Sequence, residues 1–435
     1  MPLSRRRVVA GLGAAATAAP VSPAPSTPLD PVAAPAGRGP HQLARDERFW
    51  REVARQYRVS GQFTNLENGY YGITPTSVRY AYRRNADRLN ALSSYLLRTT
   101  YKAEADQVRE RIATLAGVDK EEIAFTRGGT EALQNLIGGY RLLRPGDAVM
   151  YADLDYHSAR YAMNWLKDRR GVNVVRIAIP EPATAQAVID TYTRALDQHP
   201  RVKLLLLTHA NNVTGLALPI RQIAAAARDR GVDVIADAAH SWGQLDFNLT
   251  DLGADFAICS LHKWMGAPLG TGFLYIRKGR LHDIDRAFAD ETYPADDIRS
   301  RVHSGTLDAA AVLTVPAALD FHQALGGAVK QARLRYLRDS WVHQVKDITN
   351  LDILTPDDPA SCGAITSFRL RGHTTEAENT TIARYLFDHH RILTVRRGGP
   401  AKGDCVRVTP ALFTLAHHTH QFATALRDTA QHFRT

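Results

Sequence analysis

Between about residues 120 and 278 the chain alternates short apolar runs with longer amphipathic stretches. VMYA (149–152), VNVVRIAI (172–179), VKLLLLTH (202–209), VDVIADAA (232–239), ADFAICS (254–260) and GFLYIRK (272–278) read as strands. Several are continuous apolar runs without period-two alternation, as expected of strands buried on both faces of a parallel sheet. The intervening stretches 130–143, 158–169, 183–198 and 219–230 carry helical periodicity. The alternation predicts an α/β fold with a mainly parallel sheet.

Flanking segments complete the picture. Residues 45–58, 76–97 and 102–116 read as helices, separated by the turn-rich loop NLENGYYGITP (65–75). Two long helical patterns, 308–325 and 327–348, precede AITSFRLR (364–371), ILTV (392–395) and CVRV (405–408), with helices at 376–390 and 417–433. This predicts a large domain over 45–300 and a smaller α+β domain over 301–435. The Pro/Ala-rich stretch 30–44 reads as a linker.

Composition narrows the function. Hydrophobic residues at 45% support a sizeable core, and the net charge of +10 is spread over helices apart from one N-terminal cluster. That distribution argues for a solvated basic surface rather than a nucleic-acid footprint. In the cluster, Arg5, Arg6 and Arg7 precede an apolar run from Val8 to Ala19, then small residues and prolines, with no acid before Asp30. The order matches an export signal of twin-arginine type over 1–29, leading to a periplasmic or other extracytoplasmic location. The run is too short for a permanent membrane span, so no stable membrane insertion is expected. Three cysteines, Cys259, Cys362 and Cys405, fit neither a disulfide framework nor a zinc site, and no metal is expected.

The densest chemistry lies in VIADAAHSWGQLDFNLTDLGADFAICSLHKW. Asp237 ends one apolar strand, and Lys263 follows 26 residues later, beyond the next. Ligands of open α/β sheets gather at the carboxyl ends of strands, where an acid and an amine can converge. A lysine amine forms Schiff bases with carbonyl compounds, and pyridoxal 5′-phosphate (PLP) needs such a lysine together with an acid for its ring nitrogen. Gly128, Gly129 and Thr130 open a helix, where backbone N–H groups suit a phosphate. His157 follows another strand and could stack on a ring, and Asn212 in THANNVTG could bond a ring oxygen. Singly each has an ordinary structural explanation, such as a cap, a turn or a solvated loop.

Taken in order, the motifs GGTEA, the histidine after a strand, NNVTG, DAAH and SLHKW resemble the class V aminotransferase family of fold-type I PLP enzymes over about residues 60–415. The resemblance implies the PLP-transferase fold and a homodimer with shared active sites. It implies that Lys263 carries the cofactor, Asp237 pairs with the pyridinium nitrogen and His157 stacks on the ring. Asn212 and His240 match positions near the ring 3-oxygen. Gly129, Thr130, Ser260 and His262 match the phosphate cup, and Thr306 in SGTLD matches a residue lent to the partner subunit. Arg407 matches the arginine that holds a substrate carboxylate, a task suited to a bidentate guanidinium. Tyr70, Tyr71 and Arg396 are further candidate substrate contacts.

Within that family, desulfurases need a nucleophilic cysteine on a loop ahead of the arginine strand. Here the stretch is VRRGGPAKGDCVRVTP, and Cys405 falls in the strand itself. NLENGYYG and VRVTPALFT are closer to the isopenicillin N epimerase-like branch of epimerases, aminotransferases and carbon–sulfur lyases. That branch also holds exported enzymes that tailor side chains in siderophore maturation, such as that of pyoverdine. The implied activity is PLP chemistry on an amino acid or amino-acid side product, of epimerase or aminotransferase type. The alternatives are exported siderophore tailoring and a lyase or desulfurase.

Overall fold

The computed structural model describes residues 30–434, so the segment expected to be an export signal lies outside the described residues. The chain opens with α1 (Pro40–Ala44), α2 (Glu47–Arg55), β1 (Thr64–Asn65), α3 (Thr76–Thr99) and α4 (Tyr101–Ala116). The alternating region follows as β2 (Ile123–Thr126), α5 (Gly129–Gly139), β3 (Ala148–Ala152), α6 (His157–Arg170), β4 (Asn173–Ile177), α7 (Ala185–Gln198), β5 (Val202–Thr208), α8 (Ile220–Arg228), β6 (Asp233–Asp237), β7 (Phe256–Ser260) and β8 (Gly272–Ile276). It closes with α9 (Ala309–Leu325), α10 (Gly327–Val342), β9 (Leu351–Ile353), β10 (Thr366–Leu370), α11 (Glu376–His390), β11 (Ile392–Leu393), β12 (Val395–Arg397), β13 (Cys405–Val408) and α12 (Ala416–His432).

Seven strands form the main sheet in the order β2-β8-β7-β6-β5-β3-β4. The strands β7, β6, β5, β3 and β4 run parallel, and β8 is antiparallel to both β7 and β2. Register aligns the strand ends: Thr208 pairs with Asp237, and Asp237 with Ile258. Leu204 to Leu207 of β5 are all fully buried because helices cover both faces, which explains the unbroken apolar run. The expected α/β architecture, with a mostly parallel mixed sheet and a smaller C-terminal part, is the observed one.

The smaller part is an antiparallel sheet, β12-β13-β10-β9, backed by α11 and α12. Two boundaries differ from the sequence reading. Val315, Ala318 and Leu319 of α9 join the core beneath the main sheet, so packing does not change over at residue 301. Residues 30–44, read as a linker, dock instead. The Ala34 N–H donates to the Ala324 carbonyl at 2.8 Å, and Leu43 is buried beside Trp50, Phe321 and Val329. Pro40 sits in the first turn of α1, where its missing N–H costs nothing. The chain returns to this side at β1, which pairs in parallel with β11. No helix among the described residues is long and apolar enough to cross a membrane.

Candidate active site

The carboxyl ends of β5, β6 and β7 and the N-termini of α5 and α6 open onto one cavity of about 760 Å³. Its walls bring together Gly129, Thr130, His157, Asn212, Asp237, His240, Ser260, His262, Lys263, Arg396, Arg407, Tyr70 and Tyr71. Thr306 is the exception. It is exposed and does not line the cavity of its own chain.

Lys263 lies on the turn after β7, and its Nζ is 2.9 Å from Nε2 of His240. The His240 ring in turn accepts a bond from the Trp264 indole N–H at Nδ1, 3.3 Å away. Burial pulls the Lys263 amine down to about 8, although Asp237 opposes this; Arg407 and Arg397 add to it. Asp237 is buried at the end of β6, and its Oδ1 accepts the Ala239 N–H at 2.9 Å. Burial raises its carboxyl above the usual range, while Lys263 and the Ala239 N–H hold it lower. An opposing charge in the cavity would ionise it fully, the behaviour needed of a partner to a cationic ring nitrogen.

His157 is the first residue of α6, and its ring lies 4.5 Å from that of Tyr156. Burial, then Arg160 and Arg397, hold it below the normal histidine range, which favours the neutral ring. Opposite, Gly128 begins α5 without a side-chain cap. The Gly129 N–H donates to the Ser260 hydroxyl at 3.1 Å. A Cβ on Gly129 would stand 2.8 Å from Ile258 Cδ1 and 3.0 Å from Ser260 Oγ, so any larger residue would displace side chains where α5 meets β7. His262 is fixed beside them, with Nδ1 2.9 Å from the Thr271 carbonyl.

Arg407 is fully buried. Its Nη1 donates to the Asn212 carbonyl and its Nη2 to Glu67 Oε1, both at 2.6 Å. Gly69 lies over this guanidinium, where a Cβ would come within 2.6 Å of Cζ. Arg407 therefore borders the cavity from behind the loop that carries Tyr70 and Tyr71. Arg396 reaches the rim, but its charge is matched by Asp404 at 2.5 Å and Glu376 at 3.0 Å. Its neighbour Arg397 has a looser acid, Glu67 at 3.6 Å, and an Nε without a partner. Burial and Arg407 lower Arg397 to about 10. Arg397 is the more available cation, and sequence reading passed over it.

Asp155 was also missed. It accepts from the N–H and hydroxyl of Thr208 at 3.1 and 2.6 Å and from the Ala152 N–H at 2.7 Å. It thereby ties the ends of β3 and β5. Burial outweighs these donors and pushes its carboxyl up to about 7, with Asp237 adding to the rise.

The residues present fit PLP. The uncapped start of α5 with Ser260 beside it suits a phosphate. The side-chain oxygen of Asn212 is buried without a partner at the cavity wall. Lys263 offers an amine near neutrality, and Asp237 an acid at the next strand end.

A family model described as aminotransferase class-V matches residues 75–398. The chain belongs to that family. Class-V aminotransferases are PLP-dependent enzymes, and PLP is the cofactor here. One class-V relative is the isopenicillin N epimerase of Streptomyces clavuligerus, 28% identical over 393 residues, covering 87% of this chain and 97% of the relative. A probable cysteine desulfurase of Methanothermobacter thermautotrophicus is 29% identical over 257 residues, 56% of this chain and 61% of its own length. The fold matches that of a cysteine desulfurase from Thermococcus onnurineus in its apo form, with a TM-score of 0.76 and 18% identity, covering 88% of this chain and 98% of that one. The expected family, and its isopenicillin N epimerase-like branch, agree with these matches.

Proposed function

We propose that this class-V protein holds PLP on Lys263 and changes bonds at the α-carbon of an amino acid or amino-acid side product, by epimerase- or aminotransferase-type chemistry. The observation that carries the reading is the convergence of Lys263, Asp237, His157 and the start of α5 on one cavity. When bound, PLP supplies an electron sink that acidifies the α-carbon. The protein's own groups do the rest. Asp237 holds the ring nitrogen protonated. His157, Asn212 and His240 orient the ring, and Gly129, Thr130, Ser260 and His262 receive the phosphate. Lys263, once free, moves the α-proton. Arg397 holds a carboxylate, Arg407 adds positive charge from behind it, and Arg396, Tyr70 and Tyr71 stand at the mouth.

The cysteines favour this over desulfuration. Cys259, Cys362 and Cys405 are all buried, and none lines the cavity. Cys405 points its thiol at the Arg397 carbonyl, 3.6 Å away, and burial lifts it to about 12. A thiol so far from ionisation is a poor nucleophile. Incubation of the holoenzyme with candidate amino acids in D₂O should place deuterium at the α-carbon of the substrate, read by mass spectrometry. Release of sulfur from cysteine, with loss of that activity on Cys405→Ser, would sink the reading.

Two further proposals rest on the sequence and on Thr306. The Arg5–Arg7 segment directs export, supporting the siderophore-tailoring alternative, and replacement of Arg5 and Arg6 by lysine should leave the protein in the cytoplasm. Thr306, exposed outside its own cavity, serves the partner of a homodimer. A mixture of inactive Lys263→Ala and Thr306-variant chains that regained no activity, or an active monomer on sedimentation, would count against it.

A further inference from the structure

Lys263 is contacted by His240, and His240 by Trp264, in a chain of 2.9 and 3.3 Å. The protons along this chain can be assigned. An indole N–H only donates, so Nδ1 of His240 must accept. A neutral imidazole carries one proton, which then sits on Nε2. That N–H faces Lys263 Nζ at 2.9 Å and is best met by the lone pair of the free amine. An ammonium there would set donor against donor, and moving the proton to Nδ1 would only transfer the clash to Trp264.

We propose that Trp264 is a positioning residue, whose indole N–H fixes His240 in the Nε2–H tautomer and so favours the free amine of Lys263 over its ammonium form. The inference rests on the assignment of Lys263 as the PLP lysine. Trp264 is itself held from two sides. Its ring packs against the cluster of Leu43, Trp50, Phe321 and Val329, built from the N-terminal segment and the helices α9 and α10. Its carbonyl accepts from Lys330 Nζ at 3.2 Å, and Lys330 is buried on α10 with His322 Nδ1 2.9 Å from the same amine. The docked segment 30–44 thus supports the indole that orients His240.

Other charges face the pair and stay in place when the indole is removed. Asp237 favours the ammonium form of Lys263, and Arg407 and Arg397 oppose it. Lys263, Arg407, Arg397 and His262 all disfavour a cationic His240, in addition to its burial.

The test uses the full chain freed of PLP. In the wild type, ¹⁵N spectra should show His240 with its proton on Nε2, and labelling of the Lys263 peptide by an amine reagent should be half-maximal near pH 8, where burial places it. Trp264→Phe keeps the ring and deletes the N–H. It should mix the His240 tautomers and slow Lys263 labelling at pH 7 by about threefold to tenfold, the effect of raising an amine by up to one pKa unit. A wild-type His240 protonated on Nδ1 overturns the proposal without any variant, as does unchanged Lys263 labelling in a folded Trp264→Phe protein. Borohydride reduction of the PLP-loaded wild type tests the underlying assignment separately, since it should fix PLP on Lys263 whatever the tautomer.

Discussion

Lys263→Ala should abolish covalent retention of PLP and reduce turnover by at least about 10²–10⁴-fold, the contribution of a general acid–base group alone. The amine does two jobs here. In the proposed reading it anchors the cofactor, and it is the amine that lies 2.9 Å from His240 and acts on the charge of Asp237. The variant should keep its fold, because Lys263 lies on a turn and none of its side-chain bonds belongs to the sheet. Two measurements check this. Mass spectrometry after borohydride reduction should find no PLP adduct at position 263, and α-deuteration should fall to background. Added methylamine should restore part of the proton transfer but not the anchoring. Full activity, or reduction onto another lysine such as Lys330, would disprove the assignment.

Asp237→Asn should have the second largest effect, and it isolates charge from hydrogen bonding. The amide oxygen introduced by this substitution can still accept the Ala239 N–H, so no buried donor is stranded. What is lost is the negative charge. An opposite charge at this range holds an ionised form by about 1–3 pKa units. Loss of the acid should therefore slow the α-proton step by about 10–10³-fold with little change in KM. The sign in the apoenzyme also follows. Asp237 is the group that raises the Lys263 amine against burial. Removing it should move the labelling midpoint of Lys263 below pH 8. Removing it should also relieve the upward push on Asp155. An unchanged midpoint would show that the two groups do not interact.

Much of this site was legible because its residues sit where strands end. Asp237, Thr208 and the turn to Lys263 follow apolar runs whose ends the periodicity marks well, and the motif order supplied the rest. What stayed hidden has local causes. Arg396 and Arg397 are adjacent in a strand and both line the cavity, and no pattern says that Arg396 is already paired by Asp404 and Glu376 while Arg397 has only the looser Glu67. Asp155 acts through Thr208, 53 residues away, a pairing that exists only once β3 and β5 lie side by side. The strand β2 is four residues long and lies at the sheet edge, too short to separate from the helix that follows it. Residues 30–44 have the composition of a linker, and only burial of Leu43 against α9 and α10 reveals the docked segment.

The bond between Glu67 and Arg407 joins positions 340 residues apart. The parallel pair β1–β11 is nearly as distant in the chain. The main sheet needs neither contact, because its strands lie between residues 123 and 276. A nascent chain can therefore assemble the floor of the cavity while the wall of Arg397 and Arg407 is still untranslated. The wall around Arg397 and Arg407 closes only when the last part of the chain folds back onto the first. Contacts of such long reach form late, since loop closure must precede any gain from them. Capture of a small anionic substrate would then report completion of the whole chain.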